Sequence, residues 1–125
     1  VPIYGSSQPV LLYENEQEYL FQNDTVGTGT SSIPAELRRT RGLSYPFGFS
    51  VELTFSANPG NFQVDIQTAD TDLAANYVTL ASITQASVNA SYTGRAEVVA
   101  TWCKFVRLNI VSIANSVAIS AKVTR

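Results

Sequence analysis

From Phe47 to the C-terminus the chain alternates apolar and polar residues with a period of two. Phe49, Val51, Leu53 and Phe55 are separated by Ser50, Glu52 and Thr54, the mark of a strand with one face in a core and the other in water. Ala57-Asn58-Pro59-Gly60-Asn61 interrupts the pattern, with Pro preset at the second and Gly at the third position of a type II turn. Phe62, Val64 and Ile66 resume it against Gln63, Asp65 and Gln67, so this stretch is expected to form a hairpin. Beyond the loop Ala69-Asp70-Thr71-Asp72, the pattern predicts strands over Tyr77 to Ile83, Arg95 to Ala100 and Lys104 to Ser112, with a polar connection from Thr84 to Thr93. In the last of these, Val106, Leu108 and Ile110 face one way, while Phe105 and Val111 share the other face with Arg107 and Asn109. A turn at Ala114-Asn115-Ser116 leads into Val117, Ile119, Ala121 and Val123, again alternating with polar or small residues.

The N-terminal part is less regular. Val10-Leu11-Leu12-Tyr13 and Tyr19-Leu20-Phe21 are short apolar runs separated by an acidic stretch, and Thr25 to Ser32 has loop composition. Ile33-Pro34-Ala35-Glu36-Leu37-Arg38-Arg39 reads as one helical turn with Pro at its first position. No long segment has helical periodicity. Short strands punctuated by turn signals predict an all-β fold, an antiparallel β-sandwich with an extended N-terminal arm. Strand order is open between a jelly-roll-like and an immunoglobulin-like arrangement. The expected organisation is residues 1–45 as arm and loops packing on the core or on neighbours, and 46–125 as the sandwich core.

Composition narrows the chemistry. The chain has 125 residues, enough for one self-sufficient core, and 45% of them are hydrophobic. Only 14% are charged, well below the usual quarter, and Ser, Thr, Asn and Gln take their place. Such a surface suits a protein held against neighbours. Eight basic residues and a net charge of −2 are too little to displace counterions from nucleic-acid phosphates, so no nucleic-acid partner is expected. No apolar stretch is long enough to span a bilayer, and no basic, apolar leader opens the chain, so no membrane partner is expected either. The start at Val1-Pro2 implies trimming of the N-terminus.

There is no histidine, which removes the common proton shuttle at neutral pH and every Ser-His or Cys-His nucleophile pair. Glu52, Asp65 and Glu97 are the carboxylates a glycosidase would need in pairs, but each occupies a polar alternating position where solvent is the expected neighbour. Asp70 and Asp72, with Asn76, offer hard oxygens but lack the Gly and bidentate Glu of a calcium loop, so they are expected to shape a turn. Cys103, the only cysteine, reads as a small buried residue in its strand. No enzyme activity, cofactor or metal is expected. Arg38, Arg39 and Arg41 form the one basic cluster, suited to acidic groups on a partner. The tyrosines at 4, 13, 19, 45, 77 and 92 would suit either sugar stacking or subunit contacts.

The run from Phe49 to Arg125 resembles the small β-sandwich structural proteins of tailed bacteriophage virions. The resemblance lies in the Asn58-Pro59-Gly60 turn between strands, the loop Gln67 to Asp72, the strand Trp102-x-Lys104-Phe105-Val106-Arg107 and the closing segment from Asn115 to Arg125. It covers about the last two thirds of the chain and is one of style rather than of a diagnostic motif. It implies a virion component, assembled in the bacterial host cytoplasm: a capsid decoration or minor head protein that binds the major capsid protein or other virion subunits and itself, as a homo-oligomer such as a trimer. A tail or fibre adaptor and a carbohydrate-binding module are the alternatives. The residues expected at partner contacts are Val10, Leu11, Leu12, Tyr19 and Phe21 of the arm, with Arg38, Arg39 and Arg41 facing an acidic shell.

Overall fold

The computed structural model describes residues 9–13, 16–37, 47–85, 92–101 and 104–125, with backbone alone for 47 and 97–101. Among these lie nine strands: β1 (Val10–Leu12), β2 (Gln17–Thr25), β3 (Ala35–Leu37), β4 (Phe47–Phe55), β5 (Phe62–Ala69), β6 (Val78–Thr84), β7 (Thr93–Thr101), β8 (Phe105–Ile113) and β9 (Ala118–Thr124). A 3-10 turn spans Ala74–Asn76, and Gln85, just after β6, also takes a 3-10 conformation. One sheet has the order β1-β3-β8-β5-β6 and the other β2-β9-β4-β7. All pairings are antiparallel except that of β1 with β3, which is parallel. The protein is an all-β sandwich.

The chain changes sheet at every connection except the one between β5 and β6. Around that hairpin the pairs β4·β7, β3·β8 and β2·β9 are nested one outside the next. This nesting is the jelly-roll arrangement, not the immunoglobulin-like alternative. It corrects the hairpin expected at Asn58-Pro59-Gly60. The turn forms, with Gly60 at φ +69 and its N–H donated to the Asn58 side chain at 2.9 Å. However, β4 and β5 belong to different sheets, so the turn carries the chain across the sandwich.

Alternation places the core as expected. Val51, Leu53, Val64, Ile66, Leu108, Ile110, Ile119, Ala121 and Val123 are all at or near zero exposure and meet between the sheets. The region from Val10 to Leu37 joins them. Leu12, Leu20, Phe21, Ile33, Ala35 and Leu37 are buried in the same cluster, and β1 to β3 pair within both sheets. Over its described residues the expected arm is therefore woven into the sandwich.

Two local rules explain this. The pairing of β2 with β9 slips between Tyr19 and Phe21 and again before Asp24, so the consecutive residues Leu20 and Phe21 both turn inward. Asn23 takes a left-handed conformation (φ 51) at the second slip and donates its N–H to Ser120 Oγ. Of the helical turn expected over Ile33–Arg39, Ala35–Leu37 is instead strand β3, and Arg38 and Arg39 lie outside the described residues. Val10 N–H bonds to the Pro34 carbonyl and Leu37 N–H to that of Lys104, so pairing on both sides outweighs the local helix signal. Just before β3, Ser32 extends this contact: its N–H bonds the Leu108 carbonyl, and its Oγ accepts the Leu108 N–H at 2.9 Å.

Candidate interaction surface

Each outer face carries polar side chains that bond within their own sheet, and Val111 of β8 adds an exposed apolar side chain to the five-stranded one. On the five-stranded sheet, Gln63, Asp65 and Gln67 of β5 point outward because Val64 and Ile66 point in. Asp65 Oδ1 accepts from Gln63 Nε2 at 2.9 Å and Ser82 Oγ at 2.6 Å, and Oδ2 accepts from Thr79 Oγ1 at 3.2 Å. Thr79 reaches this face through a register slip in β6, which sets Ala81 opposite Ile66 but Thr79 opposite Gln67 and leaves Leu80 without a partner. Gln67 Nε2 donates to Thr79 at 3.4 Å, and Gln67 Oε1 accepts Arg107 Nε–H at 2.9 Å. The Arg107 guanidinium lies 4.1 Å from the centre of the Tyr77 ring, and Tyr77 OH donates to Asp72 at 2.8 Å. The result is one continuous relay from Asp72 to Gln63. Burial raises the proton affinity of Asp65, but the bonds from Gln63, Ser82 and Thr79 together outweigh it and hold the carboxyl below its ordinary value.

On the opposite outer face, Glu52 of β4 accepts from Arg95 of β7 at 2.6 Å. Glu52 and Asp65 therefore lie on opposite sides of the sandwich, each engaged with its own partners. The side chain of Glu97, in β7, is outside the described residues. Asp72 accepts from the Tyr77 hydroxyl, and Asp70 is exposed. No group of three or more metal-ligating side chains gathers among the described residues. No described helix is long and apolar enough to cross a membrane. A shallow cleft of about 190 Å³ lies between the Val26–Thr28 loop and the turn from Ile113 to Ser116. Thr28 Oγ1 there accepts the Ile113 N–H, and the Asn115 side chain donates to the Asn58 carbonyl, so its polar groups serve the loops themselves.

Other exposed apolar side chains lie on the edge strands or beside them. On one side, Leu11 of β1 and Tyr19 of β2 are 45% and 40% exposed. On the other, Leu73, Val78 and Leu80 are 59%, 67% and 46% exposed, the last two on β6, whose outer side has no neighbouring strand among the described residues. Of the residues expected at partner contacts, Leu11 and Tyr19 are thus on the surface and Val10 is half-buried. Leu12 and Phe21 are fully buried in the chain's own core and are not available to a neighbour, a correction that follows from the slip in β2 and the pairing of β1. Arg38, Arg39 and Arg41 lie outside the described residues, as do Trp102, Cys103, Tyr4 and Tyr45. The β6 edge was missed by sequence reasoning. Its seven residues, Val78-Thr79-Leu80-Ala81-Ser82-Ile83-Thr84, hold no charge, and that was the visible signal.

No family model matches the chain, and no curated protein matches it. Among solved structures it is similar to the pre-peptidase C-terminal domain of a collagenase from Bacillus anthracis, at 8% identity over 95% of each chain, with a TM-score of 0.48. A likeness of that strength carries no functional argument.

Proposed function

We propose that this chain is a structural subunit of a tailed-bacteriophage virion, a capsid decoration or minor head protein that works by binding the major capsid protein and further copies of itself. The observation that carries the reading is the placement of exposed apolar side chains on the edge strands of the sandwich, Leu11, Tyr19, Val78 and Leu80. A surface of that kind gains free energy by covering the edges, at about 25 cal/mol per Å² of apolar area removed from water. Low charge and abundant hydroxyl side chains support the same reading, because a subunit fixed in a particle does not depend on its own charge for solubility. Repetition of the subunit over a symmetric shell lets modest contacts add through avidity.

The test is binding of the purified chain to phage heads that lack it. Tight, saturable binding is expected, weakened by Leu11→Ser and Tyr19→Ser, which change exposed edge residues and leave the core intact. Removal of the first strands would be uninformative, because Leu12, Leu20 and Phe21 are core residues. Heads that take up no protein would refute the reading. The carbohydrate-binding alternative draws on tyrosine stacking. Tyr77 has a ring face covered by Arg107, so it offers less to a sugar than its sequence position implied.

A further inference from the structure

Arg107 is held firmly, yet its charge meets no partner in the fold. It points outward from β8, beside Gln67 of β5, because Val106 and Leu108 point into the core. Its Nε–H is donated to Gln67 at 2.9 Å, and its guanidinium lies 4.1 Å from the centre of the Tyr77 ring. Both supports are anchored in turn. Gln67 donates to Thr79, which donates to Asp65, and Tyr77 OH donates to Asp72. Fixing so long a side chain costs rotamer entropy. Among the described residues, however, no carboxylate pairs with Arg107 and nothing accepts from its Nη1 and Nη2. Asp72 lies on the same ring but accepts from the Tyr77 hydroxyl instead. A second open donor stands two residues along β8 on the same face. Asn109 Oδ1 accepts from Ser31 Oγ at 3.0 Å, and nothing described accepts from its Nδ2. Two strand residues separate these donors by about 7 Å.

We infer that Arg107 and Asn109 form a binding site for a sugar acid, with the Nη pair receiving the carboxylate and the Asn109 amide a ring hydroxyl. The inference goes beyond the virion reading and does not rest on it. The chemistry of the face selects the ligand. With Nε already engaged, the two Nη groups present parallel donors in a fixed plane, which matches the two oxygens of a carboxylate. The guanidinium is oriented before the ligand arrives, so little ordering remains to oppose binding. A polyphosphate or polysulfate brings several charges, and one arginine would receive them beside Asp65 and Asp72, which belong to the same bonded network. An acidic protein segment brings apolar surface as well, and the core of a protein interface needs apolar partners. Next to Arg107 the outward side chains are Gln67, Asp65 and Asn109, while Phe105 and Ala69 are buried. The exposed apolar side chain on β8, Val111, is four residues away. A sugar acid carries a single charge and several hydroxyls, which suits one arginine among amides and hydroxyl side chains. Ring stacking is not the means of recognition: Tyr77 seats Arg107.

The experiment titrates the full isotope-labelled chain with galacturonic, glucuronic and N-acetylneuraminic acids and follows the Arg107 Nε–H and Asn109 side-chain signals by NMR. Galactose, glucose, inorganic phosphate and a glutamate-rich peptide are the comparison probes. At least one sugar acid is expected to shift both signals saturably, with the neutral sugars binding at least tenfold more weakly. Arg107→Gln and Arg107→Lys should each weaken binding at least tenfold, the lysine because it keeps the charge and loses the fork. Asn109→Ala should weaken it several-fold. Circular dichroism and thermal melts check that each variant is folded, and backbone amide shifts along β8 report binding where the side chain is changed. No saturable shift with any of the three acids overturns the inference. So do neutral sugars that bind equally well, or an Arg107→Lys variant that binds like wild type. Phosphate or peptide binding tighter than every sugar acid overturns it too, and would make this face an anion or protein contact. Uptake by phage heads is a separate measurement, so the failure of either reading leaves the other standing.

Discussion

Asp65 is the point at which the outer network of the five-stranded sheet is tied together, so replacing it tests the structural account at one atom group. Asp65→Ala strips the acceptor from three donors, at 2.9, 2.6 and 3.2 Å. A hydrogen bond to a charged group contributes ~1.5–3 kcal/mol net. Ser82 and Thr79 are exposed, so water replaces the carboxylate for them, and Gln63 is half-exposed. The total cost is accordingly that of one or two such bonds, about 2–3 kcal/mol. Asp65→Asn keeps the shape and one acceptor and should cost roughly half as much. The pH dependence has a definite sign. The folded carboxyl sits below its ordinary value of about 3.9, so its contribution is complete above that value and fades as pH falls through the lower folded value. Urea unfolding followed by far-ultraviolet circular dichroism, for wild type and both variants from neutral to strongly acid pH, reads this directly. The gap between wild type and Asp65→Asn should be constant at neutral pH and shrink in strong acid. A loss under about 0.5 kcal/mol for Asp65→Ala, or a gap that does not change with pH, would refute the reasoning.

Other substitutions separate core from edge. Leu108→Ala removes a fully buried side chain and should cost ~2–5 kcal/mol, whereas Leu80→Ala at the exposed edge should stay within about 0.5 kcal/mol, both by urea unfolding. Gly60→Ala puts a methyl at positive φ and 2.9 Å from Ala114 Cβ, where backbone and contact both resist it, so the melting temperature should drop by several degrees or, for a loss of ~1 kcal/mol or more, about 2–8 °C. Ser32→Ala leaves the buried Leu108 N–H without its side-chain acceptor and should cost ~1–3 kcal/mol, with faster hydrogen exchange at that amide.

The sequence disclosed strands better than it disclosed their partners. Alternation at Phe49–Phe55, Phe62–Ile66 and Val117–Val123 marks the inward residues correctly, because the period of two depends only on which face is covered. The same alternation is produced by a hairpin and by a chain that crosses between sheets, since in both cases apolar residues face one core. Asn58-Pro59-Gly60 therefore announced its turn but not its destination. β3 was hidden for a related reason. Its three residues have no strand signal of their own and are ordered by β1 and β8. The burial of Phe21 depends on a slip in β2, and the approach of Thr79 to Asp65 on a slip in β6, neither of which periodicity can register. The uncharged run in β6 was on view throughout, but an edge position is a property of strand order, and only the topology makes that run an open surface.

The claim that matters most is that this jelly roll exists to be joined to other subunits. Under the proposed virion role, quantitative mass spectrometry of purified particles of the encoding phage tests that claim most directly. The account predicts the chain in the particle at a fixed ratio to the major capsid protein. Purified particles that contain none of it would contradict the account.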